Sequence, residues 1–159
     1  MSNWTPAQVN TPIAKSVLIT GASSGIGLEA ANFLAKNGAT VHAAVRNIEK
    51  AKSVLNPKVQ IHHLDLSDLN SVNNFVSGFG HEIEVLINNA GVMAIPLSRT
   101  AQGFEMQIGT NHLGHFALTG LMLPRIKERI ISVSSTAHRM GKINFDDFNW
   151  EKRYQRWLA

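Results

Sequence analysis

The sequence predicts an α/β fold, a parallel sheet covered by helices on both faces. Short apolar, β-branched runs alternate with segments of helical periodicity from Val17 to Val133, the pattern of βαβ units with right-handed crossovers. Runs such as Val85-Leu86-Ile87 and Ile130-Ile131 lack polar alternation, as strands covered on both faces should. At 159 residues, 44% hydrophobic and 16% charged, the chain suits one layered domain spanning 1–159.

Each element has its own signal. Val17-Leu18-Ile19 reads as the first strand, followed at once by turn residues. Ile26, Ala30, Phe33 and Leu34 recur at helical spacing until Asn37-Gly38 stops them. Thr40 to Val45 is the second strand, Ile48 to Leu55 a short helix closed by Pro57, and Val59 to Leu64 the third strand. Ser67 is expected to cap a helix with Leu69, Val72, Val76 and Phe79 on one face. Ile83 to Ile87 is the fourth strand, a long helix runs from about Ala101 to Leu123, and Arg129 to Ser134 is the fifth strand. No internal repeat, linker or low-complexity segment interrupts this order.

Composition removes several function classes. With no cysteine, disulfides and thiolate metal sites are excluded. His112 and His115, three apart on a helix, lack a sequence-near carboxylate as third ligand, and the adjacent strand residues His62 and His63 face opposite ways. Neither pair is read as a metal site. Residues 1–124 balance seven basic against seven acidic side chains, so the net charge of +4 lies in residues 125–159. There the cations scatter over a helix end, a loop and a tail, whereas a nucleic-acid surface would gather them on one face among stacking aromatics. Met1 to Lys15 has no long apolar stretch, and no later run approaches the ~20 residues of a membrane span. A soluble, cytoplasmic protein is the expectation.

The chemistry lies after the first strand, in Thr20-Gly21-Ala22-Ser23-Ser24-Gly25-Ile26-Gly27. Gly21 permits a tight turn, Gly25 lets backbone approach a pyrophosphate, and Gly27 lets the helix pack closely on the strand. The amides from Gly21 through Ser23, Ser24, Gly25, Ile26 and Gly27, with the helix N-terminus, offer a phosphate cradle. The second strand runs into Arg46-Asn47, with no acid before Glu49 to accept a ribose 2′-hydroxyl. Arg46 stands where a guanidinium could fork onto a 2′-phosphate. NADP(H) is therefore the expected cofactor, ahead of NAD(H).

The glycine spacing, together with Asn88-Asn89-Ala90-Gly91 after the fourth strand, Asn111 in the long helix and Ser134-Ser135 after the fifth, resembles the short-chain dehydrogenases/reductases over nearly the whole chain. Asn111-His112-Leu113-Gly114-His115-Phe116, Ser134-Ser135-Thr136-Ala137-His138 and Ile143-Asn144-Phe145-Asp146-Asp147 look like the retinol-dehydrogenase-like branch. The resemblance implies a Rossmann-like sheet in the order 3-2-1-4-5. It also implies an adenine contact by Asp65 and the Leu66 backbone, with Asn89, Ala90 and Gly91 beside the adenosine ribose. For Asp65 the spacing alone equally allows a capping carboxylate before Ser67.

The resemblance further implies interconversion of a small-molecule carbonyl and alcohol by hydride transfer. Ser135 would bind the reacting oxygen and Asn111 would help hold a water-linked proton path. The family's Tyr-x-x-x-Lys pair does not occur. Tyr154, the only tyrosine, is followed four residues on by Leu158, and is expected to pack with its hydroxyl toward solvent. The chain is thus expected to be truncated before that motif, with a bare edge at Ile130 to Val133, marginal stability, self-association and little activity alone. Homo-oligomers are the family habit. The alternative is a non-catalytic dinucleotide-binding or interaction module.

Overall fold

A computed structural model describes residues 5–9, 12–139, 141–157 and 159, with Ala7 and Ala137 described by backbone only; Leu158, the position one helical turn after Tyr154, lies outside them. Five parallel strands form one sheet in the order β3-β2-β1-β4-β5: β1 Ser16–Thr20, β2 Thr40–Val45, β3 Gln60–His63, β4 Ile83–Asn88 and β5 Ile126–Ser132. In register, Leu18 of β1 faces His42 on one side and Leu86 on the other, and Leu86 faces Ile130.

Because strand side chains alternate between faces, neighbouring residues enter different cores. Leu18, Ala44 and Leu86 join Leu64, Val72, Phe75 and Leu118 on one side; Ile19, Ala43 and Val45 join Ala31, Ala35 and Ala51 on the other. Helices α1 (Gly25–Lys36) and α2 (Ile48–Val54) cover the second face. Helix α3 (Leu69–Gly78) covers the first, together with a continuous run of α4 (Met106–Ile108), a π-helical stretch (Gly109–Gly114) and α5 (His115–Met122). This is the three-layer α/β/α arrangement. No helix among the described residues is long and apolar enough to cross a membrane.

Several boundaries differ from expectation for identifiable reasons. Ser67 is not the cap of α3. Asp68 caps it by accepting from the Asn70 amide, while the Ser67 hydroxyl and amide both donate to Asp65 Oδ1, at 2.6 and 2.9 Å. The long helix begins at Met106, not Ala101. Residues 100–104 form a turn closed by the Thr100 amide on the Phe104 carbonyl, and Glu105 caps the helix by accepting from the Ile108 amide. Pro124 falls in the 3-10 turn Leu123–Arg125 that ends it. Strand β5 starts three residues earlier than read, ends two earlier, and is not covered on both faces: Ile130 and Ile131 are 39% and 42% exposed, and Val133, just past its end, is 50% exposed.

Candidate functional site

At the carboxyl ends of β1, β2 and β4 the chain opens into a cleft of about 540 Å³. Gly21 begins its floor with φ +70°, and a side chain there would sit 2.7 Å from the Ala90 Cα. Gly25 also has positive φ, +55°, and a side chain there would meet open space. Its lack of a side chain leaves bare backbone, not close packing. Gly27 is the tight position, since a Cβ there would lie 2.7 Å from the Gly21 carbonyl and against Asn89 Nδ2. Ser24 stands at the N-cap of α1 without a side-chain capping bond, so its hydroxyl does not occupy the donors of the first turn.

The turn after β4 is clamped onto the glycine turn. The Thr20 hydroxyl oxygen accepts from the Asn89 and Ala90 amides at 2.9 and 3.0 Å, and Asn89 Nδ2 donates to the Thr20 carbonyl at 2.9 Å. Gly21, Ser23, Ser24, Ile26, Gly27, Arg46, Asp65, Leu66, Asn89, Ala90 and Gly91, all singled out in the sequence, line one cleft. Gly25 is not among the lining residues, although it lies between two that are.

Sequence reasoning missed Lys50, which brings a second cation to the lining beside Arg46. Asn47, the cap of α2, fixes the turn between them by accepting from the Lys50 amide at 2.8 Å. An Asn-x-x-Lys at a helix start could have signalled this. Val92, Thr110 and Val133 also line the cleft, and nothing in their residue type announces it. Asp65 is its one carboxylate, already turned toward Ser67, so the capping contact and a place in the cleft coexist.

Asn111 and Ser135 are not among the lining residues, although Thr110 and Val133 are. Both ends of the Asn111 side-chain amide hold Val92: Oδ1 accepts from the Val92 amide and Nδ2 donates to the Val92 carbonyl, both at 2.8 Å. This is the partner that a helix-interior asparagine needs, and it pins the exit of the Asn89–Gly91 turn. The Ser135 carbonyl accepts from the His138 amide at 3.2 Å.

Tyr154 does not extend its hydroxyl to solvent. It donates to the Ile95 carbonyl at 2.9 Å, accepts from Gln107 Nε2 at 3.2 Å, and lies 3.4 Å from the buried carboxylate of Glu105. Burial first, and then the Glu105 charge, raise its pKa above the usual tyrosine value, the reverse of what a proton-transferring phenol needs. Among the described residues no group of three or more His, Asp or Glu side chains could hold a metal ion.

Comparison with known proteins agrees with this geometry. A family model for short chain dehydrogenases matches residues 15–148. Human retinol dehydrogenase 11 is 49% identical over 91% of this chain and 50% of its own length, and human retinol dehydrogenase 12 is 48% identical over 91% and 51%. The chain spans about half the length of the curated relatives it matches. An uncharacterized protein from Mycobacterium paratuberculosis superposes with a TM-score of 0.91 at 50% identity, over 98% of this chain and 59% of that one.

Two more distant structures hold cofactors. A 3-ketoacyl-(acyl-carrier-protein) reductase from Brucella melitensis, complexed with NADH, matches at TM-score 0.65 and 30% identity over 85% of this chain and 63% of its own. A short chain dehydrogenase from Escherichia coli, complexed with NADPH, matches at 0.68 and 26% over 87% and 65%. With the glycine turn, the clamped asparagine turn and the sheet order all in place, the chain belongs to the short-chain dehydrogenase family, on its retinol-dehydrogenase-like branch.

Proposed function

We propose that this chain is the dinucleotide-binding part of an oxidoreductase that interconverts a small-molecule carbonyl and alcohol, with NADP(H) preferred over NAD(H). The observation that carries it is the cleft: an open-faced glycine turn on an uncapped helix start, with Arg46 and Lys50 at the β2 end. A nicotinamide dinucleotide suits these donors. The amides of the glycine turn and of α1 would hold the diphosphate, Arg46 and Lys50 a 2′-phosphate, Asp65 and Leu66 the adenine, and Asn89, Ala90 and Gly91 the ribose. The one carboxylate of the lining follows β3 rather than β2, so no acid from β2 competes for the 2′ position.

When bound, the cofactor supplies the hydride. The chain's own residues orient the reactants: Ser135 is assigned the hydrogen bond to the reacting oxygen, and Asn111 the support of the proton path. Asn111 holds both backbone groups of Val92 through its side-chain amide, so it also shapes the turn that it grips. Tyr154 is tied to Ile95 and Glu105 and no Tyr-x-x-x-Lys occurs in the 159 residues. The chain alone is therefore expected to bind cofactor without measurable carbonyl reduction.

Calorimetric titration with NADPH and NADH, on the native chain and Arg46→Ala, tests this. NADPH should bind more tightly, and Arg46→Ala should weaken it by about 1.5–3 kcal/mol, roughly tenfold to over a hundredfold, with NADH nearly unaffected. Equal losses for both would overturn the cofactor choice. Binding of neither would overturn the functional reading.

A further inference from the structure

Under α5, one buried side chain joins both turns of the cleft to Asn111. His115 is 7% exposed. Its Nδ1 lies 3.0 Å from the Asn111 carbonyl oxygen and its Nε2 lies 2.8 Å from the Thr20 hydroxyl. It comes this close because Gly114 rests against the Leu66 carbonyl, where a side chain would not fit.

The partners dictate the proton positions. A carbonyl only accepts, so Nδ1 carries the hydrogen and, in the neutral ring, Nε2 is the acceptor. The Thr20 hydroxyl must then donate to Nε2. The other acceptor within its reach, the Ile87 carbonyl, is at 3.5 Å and loses that competition. Both lone pairs of the Thr20 oxygen remain for the Asn89 and Ala90 amides. Since Asn111 grips both backbone groups of Val92, a chain of hydrogen bonds holds the Asn89–Gly91 turn at its start and its end.

We propose that His115 is a positioning residue: as the neutral Nδ1–H form it fixes Thr20 and Asn111, and the turns lining the cleft keep their shape only while it carries no second proton. A proton on Nε2 would point at an oxygen that already accepts from two amides. Three donors would then compete for two lone pairs, the hydroxyl would turn toward Ile87, and an Asn89 or Ala90 contact would be lost. The groups facing His115 from β1 and from the turn after β4, Thr20 and the Asn89 and Ala90 amides, carry no charge. Burial opposes a second positive charge on the ring most strongly; the Asn111 bond favours one, less strongly; and His112, one turn earlier, is the ionisable group among the described residues that opposes it. The link to cofactor affinity rests on the dinucleotide reading; the link to the turns does not.

The test has two arms on the full chain. Long-range proton–nitrogen NMR should show the Nδ1–H form of His115 at neutral pH, titrating below the usual histidine value near 6.5, with the Asn89 and Ala90 amide signals shifting alongside. An Nε2–H ring, an ordinary titration, or amides indifferent to it would overturn the proposal without any ligand. In the second arm NADP⁺ affinity is measured from pH 8 to pH 5 for the native chain and His115→Gln; titration of the ligand is common to both and cancels. The variant should bind about tenfold more weakly at pH 8 and lose less affinity on acidification. Identical affinities and pH profiles would overturn the link to cofactor, whereas absence of binding in both proteins would overturn the function proposed above and leave the NMR result to decide the lock.

Discussion

Gly27 shows how a single methyl group decides between opposing effects. Alanine is favoured over glycine inside a helix by about 1 kcal/mol, and Gly27 lies in the first turn of α1. The added Cβ, however, would press on the Gly21 carbonyl and on Asn89 Nδ2, and neither can withdraw freely. The Asn89 amide is committed to the Thr20 carbonyl, and the Gly21 carbonyl is backbone. Overpacking of this kind costs about 1–3 kcal/mol, so Gly27→Ala should lower the urea midpoint and weaken dinucleotide binding together. An unchanged or raised midpoint would mean that the strand, the helix and the asparagine turn are less tightly joined than these distances say.

Strands β2 and β3 meet α3 through an unusual core element. His42 is 2% exposed, its Nδ1 lies 3.0 Å from His62 Nε2, and its ring meets Phe79 edge-on at 5.1 Å. Burial, and then the proximity of His62 and His81, push its pKa from 6.5 down to about 4. Between these values the unfolded chain binds a proton that the folded chain refuses. This contribution is complete above pH 6.5 and is lost as pH falls toward 4, by about 3 kcal/mol at most. Urea unfolding at pH 7.5 and pH 5 should show this loss, and His42→Leu should flatten it, with His62 and His115, both lowered, leaving a remainder. Equal slopes in the two proteins would contradict the assignment.

This element was hidden in the sequence, as were the edges of others. Periodicity showed β1, α1 and β2 nearly to the residue, because uninterrupted apolar runs end in glycine or capping residues. It could not show that His42, His62 and His81 converge from separate segments. It also carried the long helix back to Ala101, since Ala101 and Phe104 fit the helical spacing as well as a turn. The π-helical stretch left no periodic signal. The cleft was largely legible because its donors are backbone amides in a recognisable glycine pattern; Val92, Thr110 and Val133 reach it through the fold alone.

Across the sheet, polarity and burial are uneven. Strands β1 and β2 are well buried and β4 is partly so, whereas β5 is the outermost strand on its side among the described residues and presents Ile130 and Ile131. An unpaired edge is a template for another chain, and past the charged Lys127, Glu128 and Arg129 this one turns apolar, so the 159-residue chain should self-associate with rising concentration in sedimentation experiments. Ile131→Lys should reduce this without moving the cleft. Concentration-independent sedimentation of the native chain would show that this edge attracts no second strand. The cleft lies where β1, β2 and β4 end and two turns face each other across it, so ligand binding must be felt by both turns at once. Amide hydrogen exchange, with and without NADPH, measures this directly: residues 20–27 and 89–91 should both be slowed by the ligand. Exchange in the two turns left unchanged by saturating NADPH would contradict the dinucleotide site.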